Sequence, residues 1–482
     1  MAEKGYKAKS VKTNYLYNLL FEIFAVLTPL VTTPYISRIL GPDGVGIYSY
    51  TYSIAQYFVI FGNLGISIYG QMKIAEVRDD KYKASKVFYE LGILRAVMLL
   101  CVTLLYLVTI YYSKEYKTAR IILTMFIVSS AFDFSWFFRG IENFSKVVIR
   151  DILVKIVMII LIFLFVKKKD DLLLYIMFVS LSALIGNSTY LLPLRRILCK
   201  VSYKELCFKE HLRGCITFFI PTIATSIYTV LDKTMLGMIG GSTIDSGFYE
   251  QTHKIEQILL IVITSYNSIM RSRMTYLFVN NKIEEMKRRF KESYQYIMFI
   301  SVAMSCGLIG IAKTFIPLFL GDEFTGSIKL LQIFSLLIVI IGLSNCMNTH
   351  YLGPSGKQNK NNIILVIGAF LNAAMNLLLI PKHGATGAAV ASIVAEIIIL
   401  IGYFILSREF ISFIEMFRNG WKYIVSGVLM LLVVSSLNDI NVNSFIKLFI
   451  QLACGSIIYC AILFLLKDKT LVKIYNRVKS II

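Results

Sequence analysis

Nine ionisable side chains interrupt otherwise apolar runs: Glu22, Arg95, Asp133, Lys155, Asp232, Lys233, Lys254, Lys313 and Glu396. A charge at mid-membrane costs at least about 2.5–3.5 kcal/mol, so such groups pair, face water or carry function. The cations can neutralise a phosphate through charge-assisted hydrogen bonds, and Arg38, which closes the first apolar run, has the same chemistry. Arg38, Arg95, Lys233 and Lys254 are therefore the candidate anion contacts. Lys155 and Lys313 lie near run ends, where a long stem can reach the interface. Glu22, Asp133, Asp232 and Glu396 are candidate charge partners or ion-coupling acids, for H+ or Na+. Asp232 and Lys233 are chain neighbours and cannot face each other on one helix. One is expected to face a cavity while the other pairs across a helix interface.

Uncharged polar residues fall in stripes on four of the runs. The first carries Asn14, Asn18, Glu22, Pro29 and Thr33; the second carries Ser49, Ser53, Gln56 and Asn63. The seventh carries Thr217, Pro221, Thr225, Tyr228 and Asp232; the eighth carries His253, Gln257, Thr264, Asn267 and Arg271. Strides of three to four residues keep each set on one helical face. At membrane depth such a face points to protein or to a water-filled cavity. Single Ser and Thr residues read as helix–helix hydrogen-bond partners. Four stripes together read as a cavity, with Asn18, Gln56, Tyr228, His253 and Gln257 lining it. Pro29, Pro34 and Pro221 would bend the first and seventh helices.

Other constellations are weaker. Cys207, His211 and Cys215 share a helical face with donor types suited to zinc, but no paired C-x-x-C is present, and no metal site is expected. Gly41, Gly44 and Gly46 only loosely resemble a phosphate-binding glycine loop and lack the following Lys-Ser/Thr, so no nucleotide cofactor is expected. No Ser/His/Asp order or carboxylate pair stands out, and His211, His253, His350 and His383 are far apart in sequence. No catalytic residue is expected, and the chain does not read as an enzyme.

The elements that position these groups follow from composition. Hydrophobic residues make up 57% of the 482 and charged residues 16%, against about 45–50% and about 25% in soluble domains. Apolar runs fall at about 14–36, 46–68, 88–112, 119–138, 147–166, 172–192, 214–238, 248–270, 295–319, 327–350, 362–380, 385–406, 421–437 and 444–466. This predicts an all-α integral membrane protein of about 14 transmembrane helices. The net charge of +21 reads as basic loops on one side of a membrane rather than a nucleic-acid surface. With a cytoplasmic N-terminus, about 35 Lys/Arg lie inside, about 9 outside and about 6 within spans. Both termini are then cytoplasmic, in a bacterial cytoplasmic membrane. Lys167, Lys168 and Lys169 are a local exception. Outer loops are no longer than about 12 residues, which leaves little room for outer-face chemistry. Eight scattered cysteines give no disulfide framework.

An internal repeat organises the spans. Ile36-Ser37-Arg38-Ile39-Leu40-Gly41 is echoed by Asp232-Lys233-Thr234-Met235-Leu236-Gly237, an offset of about 200 residues or six spans. This implies two parallel six-helix lobes around a central cavity: residues 1–200, a cytoplasmic loop 201–213, a second lobe 214–410, and two additional helices with a cytoplasmic tail in 411–482.

The run Thr33-Pro34-Tyr35-Ile36-Ser37-Arg38-Ile39-Leu40-Gly41-Pro42-Asp43-Gly44-Val45-Gly46 resembles the first-hairpin signature of bacterial polysaccharide-repeat flippases, the Wzx-type members of the multidrug/oligosaccharidyl-lipid/polysaccharide exporter superfamily. Leu64-Gly65-Ile66, Leu231-Asp232-Lys233-Thr234-Met235-Leu236-Gly237 and Ile380-Pro381-Lys382-His383-Gly384-Ala385-Thr386-Gly387-Ala388-Ala389 are similar too. The resemblance covers nearly the whole chain and is poorly specific for substrate. It implies an oligosaccharide on an undecaprenyl pyrophosphate carrier, flipped from inner to outer leaflet by alternating access for capsule or exopolysaccharide, alongside polymerase and chain-length machinery. Phosphate is then the anion that the resemblance implies for Arg38, Arg95, Lys233 and Lys254. A drug/cation antiporter of the same superfamily and a lipid II-type flippase are the rival readings. A membrane polymerase or ligase is disfavoured by the short outer loops. Gly384 and Gly387 also carry a mechanical expectation, positive φ and close helix approach in a short hairpin.

Overall fold

A computed structural model describes residues 11–472 apart from 114, 241, 409, 411 and 469. Hydrocarbon offers the backbone no hydrogen-bond partners, so apolar runs fold as helices, whose bonds close within the segment. No β-strand occurs among the described residues. The helices are α1 Val11–Asn63, α2 Ile66–Val77, α3 Lys81–Tyr112, α4 Lys117–Ser129, α5 Ser135–Gly140, α6 Phe144–Phe165, α7 Leu172–Ser188 and α8 Leu191–Ile197. They continue with α9 Lys209–Ile239, α10 Thr243–Val279, α11 Ile283–Leu320, α12 Ser327–Met347, α13 Gln358–Ser407, α14 Phe413–Ser436 and α15 Ser444–Leu465. Among the described residues nine stretches are long and apolar enough to cross a membrane, and the longest are Leu19–Val77 and Gln358–Ser407. The chain is an all-α, multi-pass membrane protein.

Those two long stretches hold more than one predicted span because their helices are broken by glycine. Gly41 (φ 67°) divides α1 between the runs predicted at 14–36 and 46–68, and Gly384 (φ 52°) divides α13 between 362–380 and 385–406. Pro42 follows Gly41 directly, where it cannot continue the preceding ladder. A Cβ on Gly384 would run into the Asp245 carboxylate, which accepts the Ala385 N–H at 3.2 Å. One on Gly387 would meet the Leu379 carbonyl. The first hairpin glycine thus supplies positive φ and the second supplies close approach.

Three predicted spans end earlier than expected. The second stops at Asn63, where Leu64 (φ 46°) and Gly65 (φ 72°) are both left-handed, and α2 departs as a separate helix. Gly65 packs so near α9 that a Cβ there would lie 2.7 Å from the Cys215 carbonyl and 2.8 Å from the Phe219 nitrogen. The fourth divides into α4 and α5 around Asp133, whose Oδ1 accepts the Ser135 N–H at 3.0 Å. The sixth ends at Ser188, and α8 follows.

The chain groups into two compact units, Met1–Gly237 and Met238–Ile482. In the first, α1 packs on α3, α4 and α6, α4 packs on α7, and α2 packs on α5. Its core is aromatic: Phe88, Phe134, Trp136, Phe137, Phe138 and Tyr190 are all buried in one cluster. Gly70 lies against the Trp136 ring and Gly140 against Ile74, so α2 and α5 approach through small residues. In the second unit α11 packs on α10, α12, α14 and α15, and α12 packs on α13. The unit boundary at Gly237 falls later than the predicted repeat boundary, and α9 makes its contacts to Tyr50, Ser53, Gly65 and Tyr69 inside the first unit.

Candidate functional site

Arg95 on α3 is fully buried. Its two terminal nitrogens donate to the Asp133 carbonyl and to Asn63 Oδ1, and Asp133 Oδ2 lies 3.6 Å away. One guanidinium therefore ties the end of α1, the middle of α3 and the α4–α5 break together. Desolvating a guanidinium costs several kcal/mol and is offset only by close, well-directed oxygen partners. Arg95 and Asp133 were both predicted as site residues, and the structure brings them together. In this conformation Arg95 presents no surface to a ligand.

A second arginine, half-buried, stands nearby. Arg150 on α6 donates to the Gly186 carbonyl at 3.0 Å and to Asn187 Oδ1 at 3.2 Å, pairs with Asp151, and stacks 3.9 Å from the centre of the Tyr190 ring. Asn187 in turn donates to the Ser129 carbonyl at 3.0 Å. Arg150 also lies within electrostatic range of Asp133. Arg120 on α4 is a third, bonded to Thr109 Oγ1 at 3.1 Å. Sequence reasoning named neither Arg150 nor Arg120 as a site candidate, because each lies close to the end of its apolar run.

A carboxylate–imidazole–phenol chain joins α2, α3 and α9. His211 Nε2 lies 2.8 Å from Glu90 Oε2, and the Tyr69 hydroxyl lies 3.0 Å from His211 Nδ1. The Cys207 N–H donates to the other Glu90 oxygen at 2.7 Å. His211 was weighed as a zinc donor with Cys207 and Cys215. The structure instead gives it Glu90 and Tyr69, and no group of three His, Cys, Asp or Glu side chains is placed to hold a metal among the described residues.

The remaining predicted residues are distributed over both units. Arg38 is exposed on α1, and Glu22 and Gln56 are half-buried. On α9, Asp232 is buried and Lys233 half-buried, while Thr234 donates to Ser53 Oγ at 2.8 Å. Ser53 and Asn63, two members of the second stripe, are thus interhelical hydrogen-bond partners within the first unit. The side chains of Asn18 and Tyr228 lie outside the described residues. In the second unit Lys254 pairs with Glu250 at 3.1 Å, His253 is half-buried near Tyr249, and Gln257 is exposed. Glu396 is buried on α13. There Asn376 donates to Asn372 at 3.1 Å, Asn372 donates to Ser392 at 3.4 Å, and the Tyr249 hydroxyl lies 3.5 Å from Ser392. Sequence reasoning missed these asparagines, although both break an apolar run at a four-residue stride. Of the four candidate phosphate contacts, Arg38, Lys233 and Lys254 keep exposed surface and Arg95 does not.

Residues 11–270 match the family model described as polysaccharide biosynthesis protein, which is more than half of the chain. The "Putative O-antigen transporter" of Escherichia coli (strain K12) is 24% identical over 396 residues, covering 81% of this chain and 95% of that protein. The capsular polysaccharide biosynthesis protein CapF of Staphylococcus aureus is 22% identical over 411 residues, covering 81% and 98%. The solved structure of the lipid II flippase MurJ in an inward closed conformation superposes with a TM-score of 0.77 at 13% identity, covering 94% of this chain and 99% of that one. Helical architecture, family match and relatives agree: the chain belongs to the polysaccharide biosynthesis protein family, as a multi-pass membrane protein with the fold seen in that flippase.

Proposed function

We propose that this chain is a polysaccharide flippase. Its cargo is an oligosaccharide repeat unit on undecaprenyl pyrophosphate, moved from the inner to the outer leaflet of the bacterial cytoplasmic membrane by alternating access. The product feeds capsule or exopolysaccharide assembly, and both termini are cytoplasmic. The family match carries the reading, since it joins polysaccharide biosynthesis to a chain built almost wholly of membrane helix. The longest connection between α-helices among the described residues is 198–208, too short to house an outer or inner catalytic domain.

The physical task suits these residues. Sugars and pyrophosphate cannot cross hydrocarbon without replacements for their water, and cations stabilise the phosphates by charge-assisted hydrogen bonds. Arg38, Lys233 and Lys254 take that role. Arg95 with Asp133 braces the first unit in this conformation and reaches the phosphates only if the pair opens. Glu22, Asp232 and Glu396 are charge partners or coupling acids for H+ or Na+. Gln56, His253 and Gln257, with Asn18 and Tyr228, line the sugar path. The repeat division at 1–200 and 214–410 belongs to the same proposal.

In a bacterium lacking its own copy, Lys233→Ala and Lys254→Ala should each cut surface polymer at least tenfold while membrane protein level stays normal. Full polymer with both variants overturns the phosphate assignment. Drug resistance restored without polymer would replace the cargo by a drug or cation.

A further inference from the structure

An apolar groove runs between α6 and α7 in the first unit. Its walls are Leu153, Val157 and Leu161 on α6 with Phe178, Leu181 and Ile185 on α7, and the surface it offers is carbon throughout. Leu153, Val157 and Ile185 are each more than half exposed, so the groove is open to the bilayer. One turn before Leu153, on the same stripe of α6, is Arg150, and one turn before that is the exposed Lys146. Arg150 is bonded to Gly186 and Asn187, the residues that follow Ile185 on the opposite wall. Arg195 and Arg196 then close α8. Asp151 pairs with Arg150 and Asp133 lies within its electrostatic range, which leaves Lys146, Arg195 and Arg196 to keep the end net positive.

We infer that this groove holds one anionic glycerophospholipid, with its acyl chain between α6 and α7 and its phosphate at Lys146 and Arg150. The dimensions choose this occupant. From Arg150 to Leu161 the axial rise is about 16 Å at 1.5 Å per residue, against about 15 Å for one leaflet of a hydrocarbon core about 30 Å thick. A chain of one leaflet's depth fits, whereas a long polyprenol would overrun the groove. Charge chooses the headgroup, because basic side chains at a membrane surface attract anionic lipids by about 1 kcal/mol each. The site is separate from the proposed cargo path and does not depend on the cargo's identity.

Native mass spectrometry of the full-length protein in detergent tests it, titrating phosphatidylglycerol and phosphatidylcholine of matched chains. The expected result is a single phosphatidylglycerol adduct, bound at least tenfold more tightly than phosphatidylcholine. Lys146→Ala and Arg150→Ala should each narrow that preference, and Val157→Trp, which fills the groove, should weaken both lipids. If Arg150→Ala fails to fold, Lys146→Ala carries the headgroup test and Val157→Trp the chain test. Equal retention of the two lipids by the wild type, or unchanged retention by Val157→Trp, overturns the site. Displacement of phosphatidylglycerol by a polyprenyl phosphate from the wild type but not from Val157→Trp would assign the groove to the carrier lipid instead.

Discussion

Removing one partner of a buried ion pair strands the other, which costs about 3–5 kcal/mol, while replacing both by apolar groups of similar volume is often neutral. Arg95 with Asp133 should follow that pattern. Asp133→Ala, which strands the fully buried Arg95, should lower stability in detergent by about this amount, and Arg95→Met combined with Asp133→Leu should recover most of it. Equal losses in the single and double variants would show that the pair contributes no coupling. A smaller, separate test lies at the loop 166–171, where Asp171 accepts the Lys167 and Lys168 N–H groups at 2.8 and 2.9 Å. Those bonds hold its carboxyl below the usual range. A depressed native value means the tie is present at neutral pH and is lost as pH falls through that value. Asp171→Asn at pH 7 should therefore raise tryptic cleavage after Lys167–Lys169, and wild-type resistance in that variant would show that the carboxylate does not order the loop. At this scale the sequence shows which groups are costly and not whom they meet. Arg95 and Asp133 are both conspicuous in apolar runs, but 38 residues separate them, and only the break at Asp133 turns the carbonyl and carboxylate toward α3.

Helix breaks are set by glycines whose neighbours differ in kind. Gly384 faces a side chain, Asp245, while Gly65 faces the backbone of α9. A side chain can turn away and a backbone cannot, and Gly65 (φ 72°, ψ 5°) adds the left-handed penalty of about 1–2 kcal/mol for a residue with Cβ. Gly65→Ala should consequently lower the melting temperature by more than the backbone penalty alone, and an unchanged melting temperature would contradict the packing described for α2 and α9. The long helices were legible because runs of about 20 apolar residues admit one answer in a membrane. The hairpin breaks at Gly41 and Gly384 were legible as well, through the gaps between apolar runs, with Pro42 beside Gly41 and Pro381 three residues before Gly384. The short helices α2, α5 and α8 were not. Their residues continue the preceding apolar run, and what ends that run is a contact from a distant helix: Phe219 over Gly65, or Trp136 under Gly70.

For the whole molecule, membrane character and family were readable from composition and from the Thr33–Gly46 run. Which polar stripe faces water was not, because helix–helix bonding and a wet face need the same residue types at the same spacing. Ser53 and Asn63 resolve toward bonding within the first unit. Transport itself is measured with purified protein in liposomes. A lipid-linked oligosaccharide is loaded in the membrane and its arrival in the outer leaflet is read with an impermeant glycosidase. The expected result is exposure at least tenfold faster than in protein-free liposomes, falling to background when Lys233→Ala and Lys254→Ala are combined in a protein of unchanged melting temperature. Wild-type protein that exposes the lipid no faster than empty liposomes, or a double variant that works at the wild-type rate, would contradict it.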